Sequence, residues 1–208
     1  MTIATSIRTE FEEGKPFANV FVTGGTLTGF QAVSKPSKIS GKYEIRIDLN
    51  DQNPEDVENL RDVINQVAEV AVDKHTKDNP GFTSEQLDQT YVCIKISKET
   101  GLPLLYGKSK DADTYNLIDS DNQPYEGRGV YAGSVVRTAI KLHGSVFIDD
   151  DKQTCLAVSA KPHTVKVMQT ADNSAELRQK GLDAMSAERL DSMFDDVEVS
   201  EKQTQQDY

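Results

Sequence analysis

The sequence predicts a mainly β (α+β) fold, a small antiparallel barrel with one long helix inserted after the early strands, trailed by a disordered acidic C-terminal tail. Three observations carry that expectation. Short alternating apolar–polar segments, divided by turn clusters, recur between Asn19 and Met168. One strongly capped amphipathic stretch interrupts them. Beyond Gln169 the alternation stops, and the last 27 residues are polar, acidic and Gln-rich. The expected organisation is a flexible polar arm over 1–16, a folded domain over 17–170 and a partly helical to disordered tail over 171–208.

Asn19 to Thr23 reads as the first strand, closed by a Gly24-Gly25 turn. In Lys42 to Leu49, Tyr43, Ile45, Ile47 and Leu49 point one way, while Lys42, Glu44, Arg46 and Asp48 point the other. A helix follows. Asn53 caps it, Pro54 suits its first position, and Glu55, Asp56 and Glu58 load the positive end of its dipole. Val57, Leu60, Ile64, Val67 and Ala71 make one apolar stripe. Further strands are expected at Tyr91–Ser97, Leu104–Tyr106, Tyr115–Ile118, Gly129–Leu142, Thr154–Ala160 and Thr164–Met168. Turn clusters at Glu99-Thr100-Gly101, Asp119 to Pro124 and Asp149-Asp150-Asp151 divide them.

A hydrophobic fraction of 37% and an aromatic fraction of 7%, without Trp, are lean for a chain folded throughout, so part of it is expected outside the core. The sequence lacks the run of about 18 apolar residues that a membrane helix needs. Met1 to Lys15 has no basic segment leading into an apolar stretch, so no signal peptide is expected. Cys93 and Cys155 sit in separate apolar runs and read as buried free thiols in a reducing cytosol.

The net charge of −11 argues against a nucleic-acid partner until it is located. Residues 182–208 hold eight acids and two bases, whereas the other 181 residues hold 26 acids and 21 bases. More than half the excess therefore sits in the last eighth of the chain. Between residues 91 and 168 ten Lys/Arg meet nine Asp/Glu. The bases (Lys95, Lys98, Lys108, Lys110, Arg128, Arg137, Lys141, Lys152, Lys161, Lys166) lie in or beside expected strands, and the acids crowd the connections. A sheet face can then be cationic on an acidic protein, although lysines placed to discourage edge-to-edge aggregation would give the same pattern. Tyr106, Tyr115, Tyr125 and Tyr131 are interleaved with these bases. Cations neutralise phosphates and rings stack on any base, the two ingredients of a single-strand groove; packing inside a barrel would account for each ring equally well.

Other signals fail on context. Thr23-Gly24-Gly25-Thr26-Leu27-Thr28-Gly29 follows a strand but leads into no helix that would point at a pyrophosphate. Tyr91 and Lys95, like Tyr106 and Lys110, have the spacing of a dehydrogenase pair but lie in strand or turn contexts. Asp149-Asp150-Asp151 reads as a hairpin tip rather than a cation site, and His75, His143 and His163 lack zinc spacing. No catalytic residue, metal or cofactor is expected.

The order of segments resembles the phage-encoded OB-fold single-stranded DNA-binding proteins, the replication-protein family of podophages and related siphophages. Gly41-Lys42-Tyr43-Glu44-Ile45-Arg46-Ile47-Asp48-Leu49, followed by Asn53-Pro54 and the helix, is similar to that family's first strand–helix passage. Leu104-Leu105-Tyr106-Gly107-Lys108, the Ile118–Gln123 turn and Gly129-Val130-Tyr131-Ala132-Gly133 resemble its central hairpin and long barrel strand, and Thr154 to Val167 its closing strand. The resemblance implies an OB-fold-like barrel and a non-enzymatic protein that coats single-stranded DNA without sequence preference in phage replication, recombination and repair. It also implies an acidic tail ending in an aromatic residue that recruits a DNA polymerase, helicase/primase or recombination protein, in the cytoplasm of the infected bacterial host. Here the tail offers Phe194, Asp195 and Asp196, and again Asp207 and Tyr208, with the charge diluted between them by Lys202 to Gln206.

Candidate groove residues are Lys42, Arg46, Lys95, Tyr106, Lys108, Arg128, Tyr131 and Arg137. Strand parity places Lys42 with Arg46, and Tyr131 with Arg137. A homodimer is left open, and no membrane partner is expected. The competing reading is a phage accessory module that binds proteins and not DNA.

Overall fold

Asn53 and Pro54 start the longest helix as the sequence requires: the Asn53 side chain accepts from the Glu55 N–H at 3.0 Å. In the computed structural model, which describes residues 4–29, 32–98, 100–110, 115–127 and 129–171, this helix, α1, runs Pro54–Asp78. Leu60, Val63, Ile64, Val67 and Ala71 are buried along it, so the apolar stripe is the face that packs. Among the described residues α1 is accompanied by a nine-stranded sheet. Its strands are β1 (Ser6–Phe11), β2 (Phe17–Thr26), β3 (Tyr43–Asp48), β4 (Gln89–Val92), β5 (Ile94–Ile96), β6 (Pro103–Ser109), β7 (Asn116–Ile118), β8 (Val135–Ile148) and β9 (Thr154–Gln169). No described helix is long and apolar enough to cross a membrane.

The main path through the sheet is β1-β2-β8-β9-β6-β3. β8 and β9 form a long antiparallel hairpin closed by the Asp149–Asp151 tip, where the Asp149 carboxylate accepts from the N–H groups of Asp151 and Gln153. On the inner face of β8, Val136, Thr138, Ile140, Leu142 and Gly144 are buried. Val136, Ile140 and Leu142 meet Val20 and Val22 of β2, Ile45 and Ile47 of β3, Leu105 of β6 and Leu60, Val63, Ile64 and Val67 of α1 in one core. Helix and sheet approach closely at Gly144, where a Cβ would stand 2.7 Å from the Val67 carbonyl oxygen. Cys93 and Cys155 are both buried free thiols, as expected.

The mainly β character and the single long helix agree with the sequence, but the sheet is mixed and open rather than a closed antiparallel barrel. β9 takes β4, β6 and β7 as parallel neighbours along its second edge, so three separate segments share an edge that one antiparallel strand would fill. Alternation in sequence reports which face is buried, not the direction of the partner. Among the described residues, β3 and the chain just past β2 are joined by the isolated bridges Leu27–Ile47 and Ala32–Glu44 and by the Thr28 N–H donating to the Arg46 carbonyl, with no continuous ladder.

Three local expectations also change. The supposed N-terminal arm contains edge strand β1, whose pairing with β2 is reinforced where Asp56 accepts from the Ile7 N–H at 2.8 Å. Gly24-Gly25 is no turn but a bulge inside β2, with Gly24 at φ +64° and the register shifting between Val22 and Gly25. The strand expected from Gly129 begins only at Val135, because Gly133 at φ +85° breaks the alternation before it. In return, the two last expected strands merge into β9 across Pro162 and His163, where a bulge absorbs the extra residue.

The close approach at Gly144 gives a stability prediction. Gly144→Ala should lower the free energy of unfolding by about 1–3 kcal/mol, because the added methyl meets α1 backbone rather than a movable side chain. Denaturant titration should show a lower midpoint at unchanged slope. A midpoint equal to wild type would mean that α1 does not sit this tightly on β8.

Candidate nucleic-acid interface

The outer face of the sheet carries the chemistry. Register pairs Glu44 with Lys108, Arg46 with Tyr106 and Asp48 with Leu104 across β3 and β6, all opposite the face formed by Ile45, Ile47 and Leu105. Two adjoining clefts open on this outer side. The larger, about 450 Å³, is lined by Lys42, Lys95, Lys108, Lys110 and Lys161, with Tyr91, Tyr106, Cys93 and the β9 segment Ala157–Ala160. The second, about 310 Å³, is lined by Arg46, Lys95 and Lys98 with Ile96 and Tyr106. Lys95 and Tyr106 belong to both. Every charged residue among these described lining residues is a cation.

Tyr106 stands where the clefts meet, and its ring is held from several sides. Arg46 Cζ lies 5.3 Å and Lys108 Nζ 4.9 Å from the ring centroid, both within cation–π range. Its hydroxyl donates to Glu44 Oε2 at 2.9 Å, and Ser40 donates to Glu44 Oε1 at 2.5 Å. Lys108 Nζ is 4.0 Å from the same Oε1. Burial pushes the Glu44 carboxyl up, but the hydrogen bonds from Ser40 and Tyr106 and the charges of Lys108 and Arg46 outweigh it. Glu44 is therefore held below the usual carboxylate range, as a buried anion that fixes the tyrosine and its flanking cations. Beneath them, burial pushes the Cys93 thiol up to about 12, so it lines the cleft as an inert neutral group.

Of the residues singled out from sequence, Lys42, Arg46, Lys95, Tyr106 and Lys108 come together around these clefts. Tyr131 does not line either one. It lies in the segment before β8 with its ring folded over Gly129, and the parity that placed it with Arg137 is lost at Gly133. Arg137 is on the outer face of β8, away from both clefts. Tyr115 is a core residue: it stacks on Tyr43 with centroids 4.3 Å apart and donates to the Val33 carbonyl. Arg128 and the tail residues Phe194, Asp195, Asp196, Asp207 and Tyr208 lie outside the described residues. The lining residues not singled out are Tyr91, Lys98, Lys110 and Lys161, together with Glu44 beneath Tyr106. Tyr91 and Lys95 have the same parity in one expected strand, a usable signal; Lys161 needed the pairing of β9.

No family model matches the sequence, and no curated protein is similar to it in sequence. Solved structures do share the fold. The single-stranded DNA-binding protein from bacteriophage Enc34 superposes with a TM-score of 0.50 at 10% identity, covering 84% of this chain and 98% of that one. Its C-terminal truncation gives a TM-score of 0.50 at 10% identity, over 83% and 98% of the two chains. Gp2.5, a single-stranded DNA-binding protein encoded by bacteriophage T7, gives 0.45 at 12% identity, over 79% and 92%. The two superpositions at 0.50 bear out the resemblance drawn from the order of segments at the level of the fold alone.

The Glu44 cluster predicts a pH signature. A carboxyl with a lowered folded pKa adds stability that is complete above its ordinary value of 4.5 and disappears as pH falls through the folded value. Glu44→Gln should therefore be less stable than wild type at pH 7, with the gap closing as both are titrated towards pH 3. Denaturant midpoints across that range measure it. A gap independent of pH would show that the carboxylate charge contributes nothing there.

Proposed function

We propose that this chain binds single-stranded DNA without sequence preference along the two clefts. The observation that carries the reading is the shared wall of Lys95 and Tyr106, a ring clasped by cations between clefts whose described charged residues are all basic. Lys42, Arg46, Lys108, Lys110 and Lys161 would meet phosphates, while Tyr106 and the exposed Tyr91 offer faces to bases. The described lining contains no Asn or Gln to read base edges, which fits sequence tolerance. A fold shared with proteins described as binding single-stranded DNA supports the same reading. In this reading the protein is a binding protein and not an enzyme. It works inside the infected bacterial host in phage DNA replication and recombination, and its acidic tail recruits a polymerase, helicase/primase or recombination protein.

Salt-titrated binding tests the first part. Affinity for an oligonucleotide should fall with log salt by about 0.7 per phosphate contacted, and duplex should bind far more weakly. Tyr106→Ala should weaken binding about five- to 150-fold, the equivalent of about 1–3 kcal/mol for one stacked base. Negligible affinity for single strands at low salt would refute the proposal.

The tail has its own test. Deleting residues 182–208 removes eight acids and two bases and should leave the folded domain intact. DNA affinity should rise, because an intramolecular anion no longer competes for the cations. Contact with the replication partner should disappear. Partner binding that survives the deletion would leave the tail a solubility device.

A further inference from the structure

β8 and β9 place like charges directly opposite each other twice. Arg137 pairs with Lys166 and Lys141 with Lys161 in the antiparallel register. All four are on the outer face, opposite the buried Val136, Thr138, Ile140 and Leu142. Like charges facing across a ladder are destabilising, so the arrangement costs stability where it stands. Protection against edge-to-edge aggregation does not explain it. β8 is flanked by β2 and β9, and β9 by β8 on one side and by β4, β6 and β7 on the other, so neither is an edge strand.

Nor do described acids within ion-pair reach neutralise Arg137, Lys141 or Lys166. Arg137 has no acid within ion-pair reach among the described residues. Lys166 spends its ammonium on the Asn122 amide oxygen at 2.8 Å, although Asp119 and Asp121 are in the same turn. Lys141 stands over the Phe17 ring, 4.3 Å from its centroid. Lys161 belongs at once to this ribbon and to the wall of the larger cleft, so the two cationic surfaces are continuous.

We infer that the outer face of the β8–β9 ribbon is a second phosphate track, carrying the single strand out of the clefts from Lys161 past Lys141 towards Lys166 and Arg137. The inference rests on the single-strand reading of the clefts and extends its footprint. Between Lys141 and Arg137 the strand advances about 13 Å, room for further backbone phosphates. A bound polyanion also cancels the repulsion within each pair, so free protein carries a cost that occupancy relieves.

The test uses the full chain, the double variant Arg137→Thr/Lys141→Thr, and oligo-dT of about 5 and about 15 nucleotides, near the two ends of the range for sites of this kind. The variant should bind the long oligonucleotide at least tenfold more weakly than wild type, with a salt slope reduced by about 1.4. Its affinity for the short one should be unchanged. Its melting midpoint without DNA should equal or exceed that of wild type, since two repulsions are gone. Unchanged affinity for the long oligonucleotide, or equal loss for both lengths, would overturn the track while leaving the cleft reading in place. Failure of wild type to bind either length would overturn that reading and the track with it.

Discussion

The charged face of the central ribbon depends on the alternation held along the β8–β9 ladder. Its fourteen- and sixteen-residue strands keep valine, isoleucine and leucine on the side that meets α1 while holding cations on the other. A one-residue slip would bring Arg137 and Lys141 against the helix, so the core that fixes the register also fixes the charged face. Gly144 is one point where this constraint is tight, because the helix backbone leaves no room for a side chain there. The bulge between Ala139 and Ile140 then lets β9 accommodate Pro162, whose missing N–H would otherwise leave a gap in the ladder.

The same alternation reconciles an acidic protein with a cationic surface. The net charge of −11 is a property of the whole chain, but a polyanion meets only what one face presents. The largest group of described acids lies along α1 (Glu55, Asp56, Glu58, Asp62, Glu69, Asp73 and Asp78), with others in the turns at Asp119–Asp121 and Asp149–Asp151, whereas the clefts are lined by Lys42, Arg46, Lys95, Lys108, Lys110 and Lys161. At physiological salt the screening length is about 8 Å, so a loop carboxylate more than one such length away would scarcely weaken a phosphate contact of the kind proposed for the cleft.

What could be read from the sequence divides along physical lines. Asn53, Pro54 and the stripe from Leu60 to Ala71 fixed α1 because capping and helical period are local properties. The alternation of Ile45 and Ile47 against Glu44 and Arg46 was equally legible, and it brought Lys42, Arg46 and Lys108 to one surface. β1 was not, because only Ile7 of its six residues is buried and its stability comes from pairing with β2. The left-handed Gly133 that removes Tyr131 from the strand, and the parallel neighbours of β9, depend on distant partners that no local pattern records. Lys161 illustrates the point for the site: its outward parity could be inferred, but its place beside Tyr106 needed β6 and β9 to be adjacent.

Glu44 then becomes intelligible as the counterweight to all this positive charge. An anion beside clefts proposed to hold phosphates would weaken long-range attraction, and a neutral residue would be the better choice if attraction were all that mattered. Without it, however, Arg46 and Lys108, both gathered at the Tyr106 ring, would repel each other uncompensated by its charge, and the tyrosine hydroxyl would lose its acceptor. A carboxylate bound by two hydroxyls and facing two cations gives the ring and its flanking charges one arrangement before any ligand arrives. That reduces the ordering cost otherwise charged to binding, about 0.5–1.5 kcal/mol for each long side chain immobilised. Because Glu44 is buried at the Tyr106 hydroxyl while Lys108 is partly exposed, the anion organises the cluster from within and leaves Lys108 open to a phosphate of the kind proposed.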